Sequence, residues 1–414
     1  MKWIDSTVGE YCPFTYGKSL PKKLRTPGKT PVFGSNGVVD THTESHVKSH
    51  GVIVGRKGSC GAVHISEEPF WPIDTAFFTK KETLSETRFV YYLLSSLGLE
   101  GMNSDSAVPG LNRDNAHAVR IKIPERKEDR ELIGDFLSLF DQKINANTQM
   151  NQTLEKIAQR IFKSWFIDFD PVKANAEGVP FDGLSPEIQA LFPNEFEESE
   201  LGMIPKGWSV KSVSDIADVV KGKSYKSVEL NPSTTALVTL KSFQRGGGYR
   251  LDGYKEYTGK YKDSQVVNNG DLIVAYTDMT QAADVIGKPA MISGNDKYER
   301  LVISLDVGVI KPKESDLKNF LYYTALTPRF TDHTRSFSSG TTVLHLSKDA
   351  IPSFELVCPP SEVLLKFDEV ITPFIERISN SIMENANLTR IRDKLLPKLI
   401  SGKIEINNKT EESA

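Results

Sequence analysis

Cysteine is scarce: three residues in 414 (Cys12, Cys60 and Cys358), far apart and with no C-x-x-C pair. That excludes a disulfide framework and a zinc ribbon, and it suits a reducing compartment. Long apolar runs are also missing. None approaches the ~18 residues needed to span a bilayer, and the opening MKWIDSTVGEY holds no apolar leader core. The expected location is the cytoplasm, with no membrane contact. Charge of one sign is lacking as well, since 51 Lys+Arg against 54 Asp+Glu leave a net −3. Bulk electrostatics therefore name no partner. With 39% hydrophobic and 25% charged residues, 29 Gly and 22 Pro, the chain has ordinary folding composition, and its length suits two or three domains.

Catalytic signatures are missing too. The triplets Gly17-Lys18-Ser19 and Gly222-Lys223-Ser224 lack the glycine that a phosphate loop needs five residues earlier, where Cys12 and Ala217 stand. His42, His46 and His50, with Glu44, have metal-ligand spacing if helical, but their Thr- and Ser-rich surroundings read as a solvated loop. No Gly-x-Ser-x-Gly or His-Glu-x-x-His occurs. Asp-Phe-Asp-Pro (168–171) faintly resembles the Asp-Pro-Pro-Tyr of adenine methyltransferases, without a glycine-rich strand-turn for S-adenosylmethionine. Neither intrinsic catalysis nor a cofactor or metal of its own is expected.

What the chain does have is a repeat. Trp3, Val8 and Gly17-Lys18-Ser19 recur 205 residues later as Trp208, Val213 and Gly222-Lys223-Ser224, and Phe89 and Tyr91-Tyr92 recur 231 later as Phe320 and Tyr322-Tyr323. At an offset of 234, Ile133, Leu137, Phe140, Ile144, Asn147, Asn151, Leu154, Ala158, Ile161 and Trp165 match a second series. That series is Phe367, Ile371, Phe374, Ile378, Ser381, Asn385, Leu388, Arg392, Leu395 and Leu399. Both step by 4 and 3, the seam of a coiled coil, so each predicts a long helix and the two together a helix pair. The Asn and Ser layers cost stability but fix register. Pro373 and Pro397 predict a late start, a kink or an early stop in the second helix, and Arg392 predicts a looser layer that meets an acidic side chain or a partner.

Before each helix lies a block of short strands and polar loops. Residues 51–58 and 270–276 read as strands, and 121–124 and 354–359 as the strands that close each block. Residues 34–37 and 339–342 are turn chemistry. The fold class is α/β (α+β): two globular domains and two long antiparallel helices in an internal pseudo-two-fold repeat. The boundaries read as 1–125, first domain; 126–166, first helix; 167–200, acidic connector; 201–360, second domain; 361–404, second helix; 405–414, polar tail. Net charge is +3 over 1–124, −8 over 125–200, +3 over 201–360 and −1 over 361–414.

The loops carry residues suited to nucleic acid. In the first block these are Lys18, Lys22, Lys23, Arg25, Lys29, Asn36, Arg56, Lys57, Asn103, Asn112 and Arg113. In the second they are Lys223, Tyr225, Lys226, Lys241, Arg245, Arg250, Tyr276, Arg335, Ser338, Thr341, His345 and Lys348. Arg and Lys suit phosphates and guanine edges, and Asn suits adenine. Solvated polar loops have the same composition.

The stretches FKSWFIDFDPVKANAEG (162–178), GLSPEIQALFP (183–193) and ESELGMIPKGW (198–208) resemble the connector in the specificity subunit of type I restriction-modification enzymes. PVFGSNGVV (31–39), GVIVGRKGSCG (51–61) and SFSSGTTVLHLSKDAIPSFELVCPP (336–360) resemble its recognition domains. The resemblance spans essentially the whole chain. It implies two target recognition domains facing double-stranded DNA in opposite orientations, each reading one half-site, with the helices as a ruler for the spacer. It also implies two modification subunits that methylate adenine N6 with S-adenosylmethionine, and restriction subunits that use ATP and Mg. The acidic connector and exposed helix faces would serve assembly. A stand-alone two-headed DNA-binding or bridging protein is the alternative.

Overall fold

The computed structural model describes residues 1–102, 110–245, 247–251, 253–279, 283–295, 297–340 and 343–406. The chain divides into two compact units, Met1–Ala146 with Asn385–Ala414, and Asn147–Glu384. Each unit holds one globular head and a part of each long helix, Lys127–Phe166 and Ser361–Ile400. Acidic first turns (Glu128 and Asp129; Glu362) and a lysine in each last turn (Lys163; Lys398) complement the helix dipoles. No seam position is exposed.

Within the first unit, Ile133 and Leu137 share a core with Leu399 and Ile400, Asp141 pairs with Arg392, and Asn385 Nδ2 donates to Ile144 O at 3.5 Å. Numbers rise along one segment as they fall along the other, so the pair is antiparallel. Within the second unit, Asn147 Nδ2 donates to Glu384 at 2.9 Å, while Phe162 and Trp165 pack on Phe367 in the same sense. Arg392, which breaks the apolar series, is neutralised by Asp141 and Asp393.

Pro373 neither delays nor interrupts its helix. The ring lies on the exposed side, while Phe367 and Ile371 on the other face are fully buried and hold the helix against the lost hydrogen bond. The helix ends at Ile400 rather than 404, because Gly402 takes a left-handed conformation at φ 69°.

The heads repeat element by element. First and last strands pair antiparallel in each, Trp3–Thr7 with Arg120–Pro124 and Ser209–Ser212 with Glu355–Cys358. A capped turn of helix follows, Val8–Tyr11 behind a Thr7/Glu10 capping box and Val213–Ile216 behind Ser212/Asp215. Next comes a four-stranded sheet of one order. It runs Thr15–Tyr16, Ala76–Thr79, Gly51–Gly55, Val63–Ser66 in the first head. In the second it runs Ala217–Lys221, Val307–Pro312, Leu272–Ala275, Pro289–Met291. A helix packs on it in both, Leu84–Ser96 and Leu317–Ala325. The second head adds a mixed four-stranded sheet (Lys255–Glu256, Thr235–Val238, Arg300–Ile303, Val266–Val267), where the first has three strands (Gly37–His42, Thr30–Gly34, Trp71–Pro72).

The Gly-Lys-Ser triplets lie where the edge strand leaves this sheet. Gly17 N–H donates to Ala76 O at 3.0 Å and Gly222 N–H to Val307 O at 2.9 Å. A Cβ would sit 2.1 Å from Ile73 O at Gly17 and 2.0 Å from Ser304 O at Gly222. The triplet is thus a backbone crossing. Gly17→Ala or Gly222→Ala is expected to cost about 1–3 kcal/mol in denaturant unfolding, with Lys18→Ala near neutral. All three cysteines are free and buried.

Candidate nucleic-acid interface

In the first head, three loops converge beside the sheet edge. Strand Gly51–Gly55 runs into Arg56 and Lys57, Lys57 bridges to Gly110, and Leu111 N–H donates to Arg56 O at 2.9 Å. This brings Arg113 beside Tyr16, the last residue of the edge strand. The guanidiniums of Arg56 and Arg113 lie 5.4 and 5.2 Å from the Tyr16 ring centroid, and that ring is 48% exposed. Arg113 Nε meets Asp114 at 3.5 Å, whereas Arg56 Nε is buried with no hydrogen-bond partner. Two like charges on one exposed ring repel, and an anionic or acceptor-rich ligand would offset that repulsion. Exposed Asn36 and Lys57 flank the group, with Ser59 Oγ donating to Asn36 Oδ1 at 3.5 Å.

Other first-head candidates lie elsewhere or are engaged. Lys22 and Lys23 form an exposed turn, Lys29 is exposed, and Lys18 Nζ stands 5.7 Å from the Trp71 ring. Arg25 is held at 3.3 Å by Asp40 and also donates to Leu20 O, so it braces its own loop. Asn112 caps helix Arg113–His117, its Oδ1 accepting from Asp114 N and Asn115 N. Asn103 lies outside the described residues.

The second head builds its corresponding surface on a small sheet, Thr277–Asp278, Leu344–Leu346 and Ser338–Ser339. His345 is exposed on the middle strand, Ser338 Oγ donates to Arg335 O at 2.7 Å, and Arg335 donates to Ala283 O at 3.4 Å. Lys348 is exposed nearby in sequence, and Thr341 lies outside the described residues. A second basic loop carries Lys241, Arg245 and Arg250, all exposed, closed by a Phe243–Tyr249 bridge. Lys255 Nζ donates to Tyr225 OH at 2.7 Å, and the neighbouring Lys226 is exposed. Lys223 is half-buried, its N–H bonded to Ile303 O.

Tyr276 does not belong to this surface. Its ring is 2% exposed and fills the space over Gly308, where a Cβ would stand 2.2 Å from it; burial pushes its phenol up to about 12. Sequence reasoning missed Tyr16, Lys221 and Met279, the last 76% exposed at the end of strand Thr277–Asp278. The available signal for the first two was their place one residue before each repeated triplet.

His42 is buried and accepts from Thr26 N at 3.0 Å, while His46 packs on Trp71 and Phe78. Among the described residues, no group of three or more His, Cys, Asp or Glu side chains is placed to hold a metal ion, and no helix is long and apolar enough to cross a membrane.

Residues 1–156 and 205–392 match the family described as the type I restriction modification DNA specificity domain. The type I restriction enzyme HindI specificity subunit of Haemophilus influenzae is 26% identical over 340 residues, covering 72% of this chain and 71% of that protein. The MjaIX specificity subunit of Methanocaldococcus jannaschii is 28% identical over 328 residues, covering 77% and 69%. The crystal structure of the type I restriction-modification S subunit from M. genitalium aligns over 96% of both chains, with TM-score 0.61 and 16% identity, so the fold is shared.

The chain belongs to the type I restriction-modification DNA specificity family. It is a specificity subunit, the component that carries DNA sequence specificity and no catalysis.

Proposed function

We propose that each head reads one half of a bipartite DNA target on behalf of two modification subunits and, where present, restriction subunits, in the cytoplasm. One observation carries this reading: a single head architecture is built twice, with the same strand order but different side chains at its mouth. A repeated frame with unlike loops suits two unlike half-sites, with basic side chains positioning and polar ones specifying. The partners supply S-adenosylmethionine-dependent adenine-N6 methylation with the base flipped out, and ATP- and Mg-dependent cleavage.

The connector is a folded segment, with helix Asp170–Glu177 and a hairpin pairing Phe196–Ser199 with Gly202–Pro205. Its exposed Glu197, Glu198 and Glu200 repel DNA and suit a basic partner surface.

The test is co-expression with the neighbouring modification subunit in a methylation-free host, followed by a genome-wide map of N6-methyladenine. The expected result is a split motif with a fixed unspecified gap. A continuous motif would overturn the one-half-site-per-head reading, and a soluble complex that methylates nothing would overturn the specificity role in favour of the stand-alone binder. Arg335→Ala is expected to weaken duplex binding and flatten its salt dependence by about one ion.

A further inference from the structure

Strand registers align the two heads residue by residue. Tyr16 pairs with Phe77 as Lys221 pairs with Gly308, and Val54 pairs with Phe77 as Val274 pairs with Gly308. Two residues further along, Leu111 N–H donates to Arg56 O as Leu346 N–H donates to Tyr276 O. Hence Tyr16, Arg56 and Phe77 correspond to Lys221, Tyr276 and Gly308.

Cation and ring have changed places between the heads. In the first, a half-exposed phenol carries the Arg56 guanidinium at 5.4 Å and stands edge-on to Phe77 at 5.0 Å. In the second, exposed Lys221 holds its ammonium 5.4 Å from buried Tyr276, whose ring occupies the volume that Phe77 fills in the first head. Glycine at 308 is what admits it, since a Cβ there would lie 2.2 Å from the ring. Three positions therefore differ together and compensate one another in volume and charge. The same frame offers two different groups to solvent: a tyrosine ring with two guanidiniums in one head, a lone ammonium in the other.

Resting on the reading that the heads face DNA, we propose that this triplet decides whether a head reads a base at that place: it determines specificity in the first head and holds a backbone phosphate in the second. Residues 16, 56 and 77, with Arg113, present planar guanidiniums braced on a ring, the geometry that takes guanine O6 and N7 bidentately. Residues 221, 276 and 308 present Lys221 as a mobile point charge, which suits a backbone phosphate and reads no base.

The test transplants the second triplet into the first head, Tyr16→Lys with Arg56→Tyr and Phe77→Gly, in the full chain co-expressed with its modification subunit. The parent complex is mapped in parallel. The transplant is expected to keep its thermal midpoint within a few degrees. It loses the guanine requirement at one or two positions of one half-site, about 10- to 100-fold in discrimination, and leaves the other half-site unchanged. Lys221→Ala is expected to weaken binding to all sequences alike and lower the salt slope by about one. A folded transplant with both half-sites unchanged overturns the proposal while the bipartite reading stands. A parent complex without a split motif overturns both. Should the transplant fail to fold, Arg56→Gln with Arg113→Gln decides: loss of guanine discrimination in one half-site supports the proposal, and an unchanged motif overturns it.

Discussion

Arg130→Leu alone is expected to destabilise the protein by about 3–5 kcal/mol, whereas Arg130→Leu combined with Glu86→Leu and Tyr11→Ile is expected to match or exceed the parent. Arg130 Nε meets Glu86 Oε1 at 2.9 Å, with the two side chains only 14% and 7% exposed. Tyr11 OH donates to Glu86 at 3.0 Å, and Arg130 also donates to Pro124 O at 2.9 Å. Removing the cation alone leaves a carboxylate stranded out of water. Removing all three polar groups leaves the Lys81 ammonium as the one charge at the junction, and the second head holds the apolar counterpart, with Pro312 at the position of Lys81. By the repeat offsets, Tyr11, Glu86 and Arg130 correspond to Ile216, Leu317 and Leu364, which lie together in the second head's core. Lys81, whose ammonium is pulled down by burial, keeps its bond to Tyr11 O in either background. Urea unfolding followed by circular dichroism measures both variants. A triple variant as unstable as the single one would sink the argument, since the cost would then lie in lost shape rather than in stranded charge.

The repeat and the heptad series made the two-headed, two-helix architecture legible from sequence, because a seam every 3.5 residues and a recurring triplet survive divergence of the loops. The polar seam positions were legible too: Asn147 and Ser381 are 2% and 0% exposed. Tyr276 was misread because it follows a strand, where either face is open to a side chain; only the glycine across the sheet at 308 decides that it turns inward. Tyr16 was missed for the opposite reason, as an aromatic residue next to a triplet of structural glycine looks like core. Arg25 and Asn112 have the chemistry to meet DNA, but Asp40 and a helix N-terminus engage them first. Such local competition between partners leaves no trace in composition or periodicity.

Phe367→Ala is expected to cost about 3–5 kcal/mol, and in the same assay Tyr323→Phe is expected to cost nothing or to stabilise by about 1 kcal/mol. Phe367 is fully buried, with its ring centroid 4.9 Å from Phe166, 5.9 Å from both Phe162 and Trp165, and 6.0 Å from Tyr323. Truncation would open a cavity walled by stiff rings that cannot collapse inward. Tyr323 is 1% exposed and its hydroxyl has no hydrogen-bond partner, so it carries an unmet desolvation cost. Its counterpart Tyr92 instead donates to Asp141 at 2.5 Å, and Asp141 also receives Arg392. Burial and the Asp141 carboxylate together push the Tyr92 phenol above its ordinary range, which keeps it the donor in this pair. Asp141 and Arg392 correspond in the second helix pair to Ile375 and Ala158, so the pair that engages Tyr92 is missing at Tyr323, whose phenol feels the Glu155 carboxylate without a hydrogen bond to it. Tyr92→Phe is accordingly expected to lose about 1–3 kcal/mol where Tyr323→Phe loses none. Equal effects at the two tyrosines would mean that the Tyr323 hydroxyl has a partner in solution, water or the Glu155 carboxylate, and that the second junction is more polar than its packing of rings implies.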